Sequence, residues 1–416
     1  MKCIYNRIKQ LVFLNGMIIA VPLLSSAVDP IPWEPVNDYV LNPLEIRAGD
    51  TLTGEMITTV AEWEAYRESL VEYAAKNAFG RAPAPDTYTQ ENVITGTRSL
   101  QDGTVILKTV NITIDGPNGS YDWEVKVWLP VAHAPVKVIL FVDHRGSFWG
   151  DESSSSYFDL DLILSRGYGA AYYSVNSVAP GAGGGKSSST YKEALHNKFN
   201  LNGRNDWGLI ATWAFGGLRV VDALLDKNIL PDIDEVAVAG HSRSGHTAEW
   251  MASQDTRIKY CISNGATDLF AFTGDPAADK QDLGWKTFWY CGYFSNYYKA
   301  NWPEVPWPED GNIGIALIAP RLFALGSGQN DKLVAKRYLP SEYYACVYSQ
   351  PVWNLYGLLD EVWTKEQYSP QAPIIRRNGN LQYHMATHGH GLETWDWMRY
   401  LDFADDKWVS SPLSGN

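Results

Sequence analysis

The chain has 416 residues, 45% of them hydrophobic and 19% charged, with a formal net charge of −13. That balance supports a sizeable core and argues against disorder, and the acidity argues against a nucleic-acid or anionic-membrane partner, which would need a basic face. The length suits a single α/β catalytic domain with insertions better than a string of average domains.

In chain order, residues 1–27 read as a secretory signal. Lys2, Arg7 and Lys9 precede an apolar stretch from Leu11 to Leu24, and Ser25-Ser26-Ala27 supplies the small residues a signal peptidase needs. The stretch is short for a bilayer span, an uncleaved anchor being the alternative, and no other segment resembles a transmembrane helix. Cys261, Cys291 and Cys346 remain beyond Cys3. An odd count allows at most one disulfide, and without a CxxC pair or a Cys/His ladder neither a zinc site nor another cofactor is expected.

Residues 28–416 are then expected to form one catalytic domain: an N-terminal helix and hairpin over 58–130, a core over 137–410 and an aromatic insertion over 265–312. Thr59 and Glu62 have capping-box spacing and open a helix whose Trp63, Tyr66, Leu70 and Ala74 share a face, with Gly80 ending it. Thr104 to Ile114 and Tyr121 to Leu129 alternate apolar and polar residues around Asp115-Gly116-Pro117-Asn118-Gly119, which predicts an antiparallel hairpin. From there the pattern becomes βα alternation. Val138–Val142 and Gly169–Tyr173 read as buried strands, Leu160–Leu164 as a short helix and Leu209–Leu225 as a long one. The predicted fold is therefore a mostly parallel central sheet covered by helices on both faces. A Gly/Ser-rich loop from Ser174 to Asn205 and the insertion dense in Trp, Tyr and Phe both follow strands. Loops at the carboxyl ends of parallel strands line the ligand crevice in such sheets. The 17 tryptophans include flat, polar-edged faces suited to sugar rings, although most Trp in a chain of this size is core.

The chemistry centres on Glu235 to Trp250. A strand breaks at Gly240-His241-Ser242-Arg243-Ser244-Gly245 and leads into a helix, which lifts Ser242 onto a sharp turn with helix N-terminal amides beside it. Ser244 stands where the common esterase pattern has glycine, so the motif is a Gly-x-Ser-x-x-Gly variant. A nucleophilic serine requires a base, and the base an orienting acid, each on a loop after a later strand. Arg321–Leu325 reads as a strand running into Gly326-Ser327-Gly328-Gln329-Asn330-Asp331, which places Asp331 at the acid position. Leu381–Ala386 is the next strand, and Thr387-His388-Gly389-His390-Gly391 follows it, ahead of an amphipathic helix from Glu393. His390 is therefore the expected base; His388 is two residues away and His384 lies on the strand and reads as a structural histidine, so the choice among the three rests on loop placement together with the resemblance given below.

With these residues in view the chain resembles the glucuronoyl esterase family, carbohydrate esterase family 15 within the α/β-hydrolases, from about Trp63 to Trp408. The likeness is carried by Trp207-Gly208 through Trp213-Ala214-Phe215-Gly216, by Gly240 to His246, by Phe288-Trp289-Tyr290-Cys291, by Ala316-Leu317-Ile318-Ala319-Pro320-Arg321, and by Gly389-His390 through Asp396-Trp397 and Leu401-Asp402-Phe403-Ala404-Asp405. The resemblance implies an α/β-hydrolase sandwich and metal-free cleavage of glucuronic acid esters, notably those joining glucuronoxylan to lignin, through an acyl-enzyme. It implies Ser242 as nucleophile, His390 as base, Asp331 as the alternative acid some members use, and Arg243 as an oxyanion donor. His246, Trp289 and Lys332 are the implied substrate contacts, and a monomer is expected. The chain also departs from the pattern. The family's lysine is His246 here, Ser263-Asn264-Gly265-Ala266 lacks the glutamate many members carry, and Leu333 replaces a tryptophan. A serine esterase acting on another substrate, such as acetylated xylan, and a non-catalytic carbohydrate-binding relative are the alternatives.

Overall fold

The computed structural model describes residues 31–408, together with 13–14 and 17–18; within 31–408 it leaves out positions 33, 36, 37, 39, 50, 202 and 268 and the segments 146–156, 180–194, 270–289, 292–300, 302–309 and 332–338. The expected signal segment lies outside the described residues, apart from a short antiparallel pair, Phe13–Leu14 with Met17–Ile18. Among the described residues no helix is long and apolar enough to cross a membrane.

A ten-stranded sheet forms the centre. In chain order its strands are β1 (Thr89–Leu100), β2 (Val105–Gly116), β3 (Gly119–Pro130), β4 (Val136–Asp143), β5 (Gly169–Ser174), β6 (Ile233–His241), β7 (Ile258–Asn264), β8 (Leu322–Gly328), β9 (Ile374–Asn378) and β10 (Leu381–Ala386). They lie in the spatial order β9-β10-β8-β7-β6-β4-β5-β3-β2-β1. The run from β10 to β5 is parallel throughout, and β9, β3, β2 and β1 add antiparallel edges. The predicted hairpin, β2–β3, thus extends the central sheet itself.

Both faces are buried, and alternate residues of one strand enter different cores. Val236 and Val238 of β6 and Val138, Leu140 and Val142 of β4 join a core shared with α1 (Val60–Ala74), α3 (Leu209–Leu225), α4 (Arg243–Gln254) and α5 (Leu339–Leu355). Ala237 and Ala239 of β6 and Ile139 and Phe141 of β4 face a second core with α2 (Leu160–Ser165) and α6 (Thr394–Lys407). Such two-sided burial is why these strands are continuous apolar runs without alternation.

The capping box at Thr59 and Glu62 forms as read from the sequence. The helix face is turned slightly, however. Trp63, Leu70 and Ala74 are buried with Arg67, while Tyr66 is half-buried and its hydroxyl accepts from the Arg47 amide at 3.0 Å. Arg67 enters the core because its Nε and Nη2 donate to the Leu317 and Ser253 carbonyls at 2.9 and 2.5 Å. After Ala74 the chain continues as a π-helical turn, Ala75–Phe79, before Gly80 stops it with φ +86°. Cys261, Cys291 and Cys346 are buried free thiols.

Candidate active site

The turn after β6 has the geometry expected of it. Ser242 has φ +57° and ψ −132°, a conformation that costs a non-glycine residue about 1–3 kcal/mol and persists only where surrounding structure enforces it. The Ser242 amide donates to the Asn264 carbonyl at 2.7 Å, and its own carbonyl accepts from the Gly245 amide at 2.7 Å as α4 begins. Close packing does the rest. A Cβ on Gly240 would stand 2.1 Å from the Ser244 carbonyl oxygen, and one on Gly245 would stand 2.6 Å from the Ala266 Cβ. Gly240→Ala should therefore push the strand off the helix and lower stability by about 1–3 kcal/mol, the usual range for overpacking. A thermal melt within 1 °C or so of wild type would contradict that reading of the turn.

The variant position in the motif has a physical explanation. Ser244 is fully buried, and a buried hydroxyl needs a partner. His144, just past the end of β4, provides one, its Nδ1 lying 2.8 Å from Ser244 Oγ. Burial, followed by the charge of Arg243 and then of His241, holds the His144 cation well below its ordinary range, so His144 is neutral. The sequence reading missed His144. The available signal was a histidine immediately after a buried strand, in the Asp143-His144-Arg145 run at the sheet's carboxyl end.

His390 lies on the loop between β10 and α6. Its Nδ1 donates to Asp331 Oδ2 at 2.6 Å, and both side chains are nearly buried. That bond leaves Nε2 as the unprotonated nitrogen. Asp331 comes from the turn after β8, where its amide donates to the Gly328 carbonyl at 3.0 Å. The His390 ring packs on His241, the residue before Ser242, with centroids 4.5 Å apart. His241 in turn stacks on Tyr157, and the Arg145 guanidinium lies over the Tyr157 ring, 4.4 Å from its centroid. His241 Nδ1 donates to Asn264 Oδ1 at 2.6 Å, the Asn264 amide nitrogen being committed to the Tyr400 hydroxyl. Burial first, then the charge of His390, brings His241 down to about 3, so the His241 ring beside His390 is neutral.

The other two histidines of this region serve Asp396. His384 Nε2 and His388 Nε2 donate to its two oxygens at 2.9 and 2.6 Å. Gly265 occupies the vacancy noted in the sequence, with φ +56°, and a Cβ there would touch the His390 ring 3.6 Å away. The position of the missing glutamate therefore borders His390. Arg243 opens α4 half-buried, its cation disfavoured by burial and then by the charge of Arg145. His246, on the first turn of α4, is 5% exposed. Trp289, Lys332 and Leu333 lie outside the described residues, as does most of the two loops expected to wall the site.

A serine raised on a strained strand-to-helix turn at the carboxyl end of a parallel sheet, with an aspartate-bonded histidine from a later loop packed on the residue before it, is an arrangement compatible with a serine hydrolase of the α/β-hydrolase fold. The chain belongs to the glucuronyl esterase family: the family model described as "Glucuronyl esterase, fungi" matches residues 112–357, more than half of its length. It is 25% identical over 398 residues to the carbohydrate esterase MZ0003 of an unknown prokaryotic organism, covering 85% of this chain and 87% of that protein. Among solved structures it resembles a glucuronoyl esterase from Solibacter usitatus (TM-score 0.71, 23% identity, 89% of this chain and 98% of that one). It also resembles a promiscuous family 15 esterase from a marine bacterial metagenome (TM-score 0.70, 22% identity, 91% and 98%). The protein is thus a carbohydrate esterase, a carboxylic ester hydrolase.

Proposed function

We propose that the protein hydrolyses (4-O-methyl-)glucuronoyl esters between glucuronoxylan and lignin through an acyl-enzyme on Ser242. Ser242 Oγ attacks the ester carbonyl carbon as its proton passes to His390 Nε2. The His390 cation, stabilised by Asp331, then returns that proton to the departing alcohol. Water repeats the sequence on the acyl-enzyme and releases the free uronic acid. The observation that carries this reading is the 2.6 Å His390–Asp331 bond beside the Ser242 turn. Comparison of kcat/KM on benzyl glucuronate and 4-nitrophenyl acetate tests the substrate. Preference for the uronate ester supports the proposal, and preference for the acetate favours an esterase for another substrate, such as acetylated xylan. That second reading draws on His246, which stands buried where the family's sugar-contacting lysine is expected.

Arg243 adjoins the nucleophile, and its planar guanidinium suits an oxyanion as it forms. Arg243→Ala should lower kcat by about 100- to 1,000-fold, the usual loss for one oxyanion donor. A rise in KM at constant kcat would make it a ground-state contact instead. We further propose export with removal of residues 1–27, supported by the basic start, apolar stretch and small-residue site. An exported protein whose N-terminus is Val28 would bear this out, and one retaining Met1 would contradict it.

A further inference from the structure

His388 is bonded at both ring nitrogens to groups that can only accept. Its Nδ1 lies 2.7 Å from the Gly389 carbonyl oxygen, and its Nε2 lies 2.6 Å from Asp396 Oδ2. Two acceptors require two N–H donors, so the ring is an imidazolium. Asp396 is fully buried, and it also accepts from His384 Nε2 and from the Glu393 amide at 2.9 and 2.8 Å. The His388 carbonyl, for its part, accepts from the Asn330 amide at 3.0 Å, while Asn330 Nδ2 donates to Thr387 O at 2.6 Å and the Gln329 amide to Ala386 O at 2.8 Å. The loop bearing His390 is thereby fastened to the turn bearing Asp331. The two run so close that a Cβ on Gly328 would fall 2.2 Å from the Gly389 carbonyl oxygen and 2.9 Å from the His388 ring.

Resting on the Ser242–His390–Asp331 reading above, we propose that His388 is a positioning residue that locks the His390 loop between α6 and the Asp331 turn, and so sets the His390–Asp331 geometry. The residue acts through its neighbours and does not touch substrate. Among the described residues, the charged groups acting on it are Asp396 and Glu393 from the start of α6; His384 on β10 shares Asp396, and Asp331 follows Asn330 on the fastened turn. Burial works against the His388 cation, but the hydrogen bond and charge of Asp396, then the Gly389 carbonyl and Glu393, outweigh it and bring the ring up to about 9. A group raised on folding contributes stability below its ordinary value near 6.5 and loses that contribution as pH rises through the folded value. The lock should therefore hold at neutral pH and loosen on the alkaline side.

The test is a set of pH–rate profiles for wild type, His388→Gln and His388→Leu on one ester substrate, alongside melting curves and fluorophosphonate labelling of each. Wild type should lose kcat along a limb near pH 9 with little change in KM. His388→Gln retains a neutral donor toward Asp396 and should lack that limb. His388→Leu should lower kcat by roughly 10- to 100-fold, the scale of a small misplacement of a catalytic group, with KM nearly unchanged. Wild-type kcat in His388→Leu, or a wild-type alkaline limb in His388→Gln, overturns the proposal. Should the leucine variant fail to fold, the glutamine profile decides alone. If wild type itself is not labelled, the nucleophile assignment has failed and takes this proposal with it, an outcome distinct from labelled variants with unaltered profiles.

Discussion

Ser242→Ala should lower kcat on the order of 10^5- to 10^6-fold and leave the melting temperature near that of wild type. The magnitude follows from the way nucleophile and base act as a unit in serine hydrolases, where loss of the serine alone removes nearly all of the covalent route. The fold is expected to survive because what shapes the turn is backbone: the Ser242 amide on the Asn264 carbonyl, the Gly245 amide on the Ser242 carbonyl, and the close pass of Gly240 under Ser244. Alanine bears the same left-handed strain as serine at φ +57°, so the substitution removes the hydroxyl without relieving the conformation. Steady-state kinetics with a melting curve is the check. A folded variant turning over within tenfold of wild type would rule Ser242 out as the nucleophile.

Asp331→Asn is expected to lower kcat by about 10,000-fold, on the scale set by the same change in serine proteases. Two losses combine. The amide can present its NH2 to His390 Nδ1 and select the tautomer with the proton on Nε2, which can no longer accept from Ser242. The imidazolium formed during attack also loses its carboxylate, now 2.6 Å away. Among the described residues, Asp396 is already bonded to His384 and His388, and a position bordering the His390 ring is Gly265, which carries no acid. Asp268→Asn, at the acid nearest the vacant position in sequence, should therefore do little. A reversed pair of results would mean that the acid has slipped along the loop after β7, and two mild results would leave a serine–histidine pair.

Much of this was legible in the sequence where local chemistry and tertiary demand coincide. β10 and α3 match their predicted limits because β10 is a short strand stopped by the Thr387-His388-Gly389 turn and α3 carries a long helical apolar pattern that meets the core. The turn at Ser242 was readable because Gly240 and Gly245 are required by contacts made within a few residues. Other elements were hidden. α5 is buried nearly all round and holds Pro351 within it, so it has neither an amphipathic period nor a clean stop signal. β1 is mostly polar and carries a register shift between Ile94 and Gly96, and β9 is a short edge strand. At the site, the sequence could place Asp331 and His390 on loops after two late strands, although it did not show the edge strand β9 that lies between them in the chain. It could not pair them, because residues 59 apart in the chain meet only once β8 and β10 lie side by side. The division among His384, His388 and His390 was likewise invisible, being decided by which carboxylate each ring faces. His144 escaped notice because its partner, Ser244, is 100 residues on.

The central claim, a single acylated serine at Ser242 serving uronate esters, is tested most directly by mapping a fluorophosphonate adduct by peptide mass spectrometry, with and without excess benzyl glucuronate. The account predicts one modified residue, Ser242, with activity lost in proportion to labelling and labelling slowed by the uronate ester. Modification of a different serine, or full modification of Ser242 with turnover retained, would contradict it.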